Sequence, residues 1–321
     1  MLALLFSACS TKEVYKPKLV SGEWKKYAPM ESEIVDRSSN AALLEDHKVL
    51  TQNGLTDVTL EKNQRIIAES DGWILGATID GNLSLISESN STIQKHFALK
   101  KTIASASVKD NILAVMFADD TLALYDIPTK ALLFQDQSGK SIASDMRIVN
   151  PYFLKGLVIF ATLDGRVVIV DTKRKKKLRS VIVSSADFFN NIIDLHLFDN
   201  KIIAATNTKM LALTKDELRQ KYEIRNIAYG NKEIFITTKQ GEVIALTPDL
   251  QVISKVKFPF AHFLGLINTP DKLYALEKEG YLITIDKKSF HYVVKEVTIG
   301  DGFVFTGKDL FYVDDKKVLV E

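Results

Sequence analysis

The sequence predicts an all-β chain folded as one ring of four-stranded sheets, and three observations predict it. The first is a repeat of short apolar strand, tight polar turn and alternating apolar strand. Its copies are ILGATIDGNLSLIS (Ile74–Ser87), LAVMFADDTLALYD (Leu113–Asp126), LVIFATLDGRVVIVD (Leu157–Asp171), IIAATNTKMLALT (Ile202–Thr214), IFITTKQGEVIALT (Ile234–Thr247) and LYALEKEGYLITID (Leu273–Asp286), with a shorter FVFTGKDLFYVD (Phe303–Asp314) last. The first apolar residue after each turn is Leu83, Leu122, Val167, Met210, Val243, Leu282 and Leu310, a return about every 40 residues. That period suits a four-stranded β-propeller blade and exceeds one coil of a β-helix. The second observation is the turns: Asp80-Gly81 and Asp164-Gly165 are pairs that tight hairpins favour for their positive φ angles, and Lys239-Gln240-Gly241 and Lys278-Glu279-Gly280 are looser versions. The third is that Leu157–Phe160 and Val167–Val170 are apolar on both faces, as a sheet packed between two others requires. A two-layer sandwich would alternate apolar and polar positions. Seven anchors predict seven blades, while Lys48–Leu60 holds further strand-like sequence that either closes the ring or adds an eighth. Helical signal is confined to a turn or two at Lys215–Tyr222.

Composition bounds the function. The 321 residues carry 42 Lys+Arg against 40 Asp+Glu, a formal charge of +2, so no nucleic-acid partner held by overall charge is expected. A hydrophobic fraction of 46% excludes a disordered chain. The single cysteine excludes a disulfide framework and a cysteine-based zinc site. His47, His96, His196, His262 and His291 show no metal-ligand spacing, and neither a Gly-x-Ser-x-Gly elbow nor a phosphate-binding loop occurs. Asp119-Asp120 and Asp314-Asp315 read as solvated turns. No catalytic, cofactor or metal site is expected.

The first nine residues, MLALLFSAC, run apolar into two small residues and then the lone cysteine. This resembles a bacterial lipoprotein signal: Ser7 and Ala8 fit the lipobox, Phe6 stands where leucine is usual, and Cys9 takes the lipid. Residues 1–9 are therefore expected to be a signal remnant with its lipobox, 10–45 a polar tether with an aromatic foothold at Trp24 and Tyr27, and 46–321 the propeller domain. No later stretch approaches the ~20 apolar residues of a membrane-spanning helix. The membrane is reached through the N-terminal lipid, since each buried CH₂ contributes about 0.8 kcal/mol.

Two propeller families share this period. The Gly-His and Trp-Asp pairs of WD repeats are absent. The Asp that closes a strand ahead of Thr-Lys (Asp126…Thr129-Lys130, Asp171-Thr172-Lys173) is closer to the quinoprotein-type blade, although Lys replaces its Gly and its closing Trp is missing. A lipobox followed by one quinoprotein-like propeller of this length resembles the BamB-type lipoproteins of the outer-membrane β-barrel assembly machinery. That resemblance implies a non-catalytic scaffold, without cofactor, held at the inner leaflet of the outer membrane in the periplasm. It would dock on the barrel-inserting subunit and assist outer-membrane protein folding and insertion. The alternative is another envelope propeller binding a different protein complex, a glycan or a small ligand.

Three stretches are candidate contact sites. Lys173, Arg174, Lys175, Lys176, Lys177 and Arg179 put six basic residues in seven on the hairpin between the third and fourth strands of one blade. They either solvate an outer edge or meet an acidic protein surface or anionic lipid. Phe188 and Phe189, and Phe258, Phe260 and Phe263, fall between one blade's last strand and the next blade's first. They either anchor a partner or pack inward between blades.

Overall fold

The computed structural model describes residues 13–198, 200–300 and 302–320, which contain no helix. Cys9 lies outside the described residues. The strands form eight antiparallel four-stranded sheets, so the ring has eight blades, not the favoured seven. Blade 1 comprises strands a to d at Ile34–Arg37, Ala41–Leu44, Lys48–Thr51 and Gly54–Thr59. Blades 2 to 7 span 65–98, 103–137, 152–182, 194–221, 224–257 and 263–296. Blade 8 takes Val304–Thr306, Leu310–Val313 and Lys316–Leu319, and its outer strand is Tyr27–Pro29 from the chain's beginning, with Tyr27 opposite Val318. Residues 27–44, within the stretch expected to be tether, thus belong to the ring.

A physical detail of blade 1 explains the miscount. Blade 1's turn between strands b and c has His47 at the left-handed position (φ 65°) where blades 2, 4, 6 and 7 place Gly81, Gly165, Gly241 and Gly280, so the glycine signal is missing. The last repeat copy, Phe303–Asp314, covers strands a and b of blade 8, and its b–c turn is Asp314-Asp315. Residues 217–221, inside the expected helical turn, form the exposed outer strand of blade 5.

One hydrogen bond recurs around the ring. The residue that follows each d strand donates its N–H to a carbonyl in its own blade's b–c turn. The pairs run Met30 to Asp315, Leu60 to His47, Leu99 to Gly81, Ser138 to Asp120, Val183 to Gly165, Tyr222 to Thr208, Phe258 to Gly241 and Val297 to Gly280, at 2.7–3.1 Å. This latch turns the chain toward the next blade, and in seven of the eight blades its residue is apolar or aromatic. At Gly241 a Cβ would lie 2.1 Å from the Phe258 carbonyl, so the close approach needs glycine as much as the φ of +75° does.

Eight apolar clusters fill the eight gaps between blades. Alternate residues of one strand serve opposite neighbours: Leu273 and Ala275 pack toward blade 6, Tyr274 and Leu276 toward blade 8. Burial of each large side chain stabilises by about 1.5–3 kcal/mol. The Asp residues ending strand c of blades 3, 4 and 7 accept backbone N–H groups in the next turn: Asp126 from Thr129 (2.9 Å), Asp171 from Arg174 (2.8 Å) and Asp286 from Ser289 (2.8 Å). These caps give the Asp signature of the sequence a structural cause. Residues 21–24 run beside the outer strand of blade 7, where Ser21 N–H reaches the Val294 carbonyl (2.8 Å) and Trp24 N–H the Glu296 carbonyl (2.7 Å). They cover that open edge. Trp24 is buried, its indole N–H on the Leu319 carbonyl at 3.0 Å.

Candidate functional site

Strands alternate direction within a blade, so the d–a connections and b–c turns share one face of the ring and the a–b and c–d turns share the other. The two faces differ in what they expose. The d–a/b–c face carries Ile79, Ile142, Met146, Phe188, Phe189, Phe260 and Phe303 as exposed large apolar side chains. Among the described residues the turns of the opposite face expose one, Ile93. A face that gathers exposed apolar groups is a candidate contact surface.

The five candidate phenylalanines divide. Phe188 and Phe189 crest the connection from blade 4 to blade 5, and Phe260 the one from blade 6 to blade 7; all three are more than half exposed. Phe258 and Phe263 are buried against each other (ring centroids 6.1 Å), with Tyr15 and Tyr292 also on Phe258 at 6.0 and 4.8 Å. Phe258 and Phe263 thus pack inward between blades, while Phe188, Phe189 and Phe260 lie exposed on the face. Of the basic run, Lys173 to Lys175 form the c–d turn of blade 4 and Lys176 to Arg179 its outer strand. Lys177 pairs with Asp136 of blade 3 and Arg179 with Glu217 of blade 5, each at 2.6 Å, while Arg174 reaches Asp171 at 3.8 Å. Lys177 and Arg179 thus stitch three blades together, Arg174 pairs within its own blade, and Lys173, Lys175 and Lys176 form no ion pair among the described residues.

The inner strands surround a central channel of about 1550 Å³. Phe188, Phe189, Phe303 and Met146 line it together with polar and charged side chains. The fourteen-residue connection between blades 3 and 4, residues 138–151, enters it. Asn150 donates to Ser39 Oγ (2.9 Å) and Asn40 Oδ1 (3.1 Å) of the non-adjacent blade 1. Arg147 grips Asp145 through Nε (2.8 Å) and Nη2 (2.9 Å) and also donates to Asn207 and to the Arg225 carbonyl. Burial would raise Asp145, but the Arg147 guanidinium overcomes it and holds the carboxyl at about 2. Asp194 shares a hydrogen bond with the Tyr229 hydroxyl, and burial pushes it up to about 6 despite that bond and Arg147. His196 stacks on Tyr229 at 3.8 Å and is lowered by burial. No motif in the sequence announces this cluster: Arg37, Arg147 and Arg225 stand in three separate blades or connections. The one available signal is the long strandless run 138–151. Among the described residues no group of three or more His, Cys, Asp or Glu side chains could hold a metal ion, and no helix is long and apolar enough to cross a membrane.

The eight-bladed ring with an apolar face over a charged channel is a β-propeller, a fold it shares with BamB and WD40 propellers. BamB from Moraxella catarrhalis superposes with a TM-score of 0.69 over 92% of this chain and 98% of its own, at 12% identity. The WD40 domain of Sif2 gives 0.66 over 93% and 98% at 10%, and the designed protein Ika8 gives 0.65 over 94% and 99% at 14%. At these identities the likeness concerns the fold. In sequence, the chain is 29% and 28% identical to the plasminogen-binding protein PgbB of two Helicobacter pylori strains, over 97% and 96% of its length. It spans about two thirds of those relatives, 68% and 66%. No family model matches.

Proposed function

We propose that this chain is a non-catalytic, lipid-anchored docking propeller of the bacterial cell envelope that binds a protein through its d–a/b–c face. The observation that carries the reading is the one-sided exposure of Phe188, Phe189 and Phe260 with Ile79, Ile142 and Met146. Anchors of this kind supply most of a protein interface's energy. The sequence relatives are named for binding plasminogen, and a match along nearly the whole chain favours plasminogen as the first partner to test. The second reading is docking on the barrel-inserting subunit in the periplasm, favoured by the likeness in fold to BamB and by the lipobox at Cys9. The two require opposite placements of the anchored protein, outside the cell or beneath the outer membrane.

Immobilised intact protein would be titrated with plasminogen and, separately, with the periplasmic domains of the barrel-inserting subunit. The expected result is binding of one of them, weakened at least about tenfold in Phe188→Ala/Phe189→Ala/Phe260→Ala. Equal binding by that variant overturns the choice of face. Binding of neither partner overturns both identities. A Cys9→Ala protein recovered in the soluble fraction supports anchoring, and one still in the membrane fraction removes it.

A further inference from the structure

Three guanidinium groups share one carboxylate in the channel. Arg147 is saturated by Asp145, Asn207 and the Arg225 carbonyl. Arg37, on blade 1, gives one N–H to the Val304 carbonyl and lies over the Phe303 ring at 5.6 Å. Arg225, on blade 6, has a buried Nε with no hydrogen-bond partner. Among the described residues neither Arg37 nor Arg225 is hydrogen-bonded to a carboxylate. Both are lowered from the ordinary arginine value by burial first and then by the Arg147 charge, with Asp145 opposing. The other charges along the channel do not relieve them: Lys109 is paired with Asp71 at 2.6 Å, Asp194 is engaged by Tyr229, and burial raises Glu69. Arg37 is exposed and Arg225 half-buried with its Nε out of solvent and unpaired, so both forks are open to an acceptor, and a planar guanidinium fork fits a carboxylate.

The same cavity is apolar where Phe188, Phe189, Phe303 and Met146 line it, and at about 1550 Å³ it exceeds the range of small-ligand pockets. Cationic centre and aromatic lining together fit a peptide segment better than a bare anion. We infer that the channel receives a segment of the docked protein bearing an acidic side chain between apolar ones. The carboxylate would lie on Arg37 and Arg225, and the flanking side chains on Phe188, Phe189 and Phe303. This rests on the proposed reading of that face as a protein-docking surface.

The test uses the intact protein and a fluorescent acetyl-Phe-Glu-Phe-amide probe, its Gln counterpart, and inorganic phosphate as competitor. The expected result is saturable binding of the Glu peptide, about tenfold tighter than the Gln peptide. Arg225→Gln and Arg37→Gln should each remove most of that preference, and Arg225→Lys, which keeps charge without the fork, should give an intermediate loss. Phe189→Ala should weaken both peptides alike. Equal binding of the two peptides, no binding of either, or an unchanged preference in folded Arg37→Gln and Arg225→Lys overturns the inference. Phosphate that displaces the probe as effectively as free Glu peptide overturns it too, leaving a simple anion site. Partner capture separates this inference from the docking reading. If Arg37→Gln/Arg225→Gln captures the protein partner normally, the channel site falls and the docking face stands. If Phe188→Ala/Phe189→Ala/Phe260→Ala captures it normally, the docking face itself falls.

Discussion

The connections at 183–193 and 258–262 both bring phenylalanines to the same face of the ring, and they treat them in opposite ways. The second is five residues long. Its Phe258 occupies the latch position, donating to the Gly241 carbonyl while its own carbonyl accepts from Ala261 at 3.0 Å. The ring is thereby committed to the gap between blades 6 and 7, and Phe260, at φ 65°, is turned outward. The first is eleven residues long. Val183 takes the latch, buried Asn190 and Ile192 fasten the return, and Phe188 and Phe189 are left on the crest. A place at the latch or on the following strand a buries an aromatic side chain in the gap between blades, and a place on the crest of the connection leaves it exposed.

The largest effect should fall on this contrast. Phe258→Ala opens a cavity against Phe263, Tyr15 and Tyr292 and is expected to cost about 3–5 kcal/mol in urea unfolding. Phe188→Ala and Phe189→Ala should each change stability by less than about 0.5 kcal/mol. A Phe188 or Phe189 variant as unstable as Phe258→Ala would mean that the crest is core, and the docking face would be lost with it.

The latch can be probed from its other partner. Gly241→Ala places a Cβ against the Phe258 carbonyl at a positive φ and should cost on the order of 2–3 kcal/mol. His47→Gly relieves the left-handed conformation at the matching position of blade 1 and should stabilise by up to about 1 kcal/mol. Thermal or urea denaturation reads both. Opposite signs at equivalent positions would confirm that backbone geometry, and not side-chain contact, sets the requirement there.

Asp120 occupies that same position in blade 3, fully buried, accepting the Leu163 N–H (2.9 Å) and the Asp164 N–H (3.2 Å) beside the Asp164 carboxylate. Burial, and next to it the Asp164 charge, raise it to about 7 against those two N–H bonds. A carboxyl raised in the folded state binds its proton more tightly there than in the unfolded chain. Its contribution is fully present below about pH 4 and is lost as the pH rises to about 7. Asp120→Asn should therefore gain on wild type by on the order of 4 kcal/mol between pH 4 and pH 8. A difference that stays constant across that range would show that Asp120 is ionised throughout.

Much of this architecture is written in the chain, and the parts that are not share a cause. The six copies from Ile74 to Asp286 fall on strands b and c of blades 2 to 7 because both faces of those strands are buried and their turns use Gly, Asp or Asn. Blade 1 escapes because His47 adopts the glycine conformation, and the ring closure because Tyr27–Pro29 pairs with a strand nearly 300 residues away. The exposed phenylalanines are visible as composition, but their separation from Phe258 and Phe263 depends on which residue takes the latch and where the next strand a begins. The arginines of the channel carry no local pattern at all, since Arg37, Arg147 and Arg225 meet only when blade 1, the connection between blades 3 and 4, and blade 6 close around one axis.

The smallest expected effect comes from the opposite face. Lys173, Lys175 and Lys176 form no ion pair among the described residues, whereas Lys177 and Arg179 join blade 4 to blades 3 and 5. Charge reversal of the first three should change stability by less than about 0.5 kcal/mol, because exposed charges contribute little. It should also leave partner capture by the aromatic face unaltered. What it should weaken is salt-sensitive adsorption to vesicles containing anionic lipid, measured by co-sedimentation at low ionic strength. If Lys173→Glu/Lys175→Glu/Lys176→Glu instead abolished partner capture, the partner would have to reach both faces of the ring. Unchanged adsorption together with unchanged capture would leave these lysines the single role of keeping an exposed edge in water.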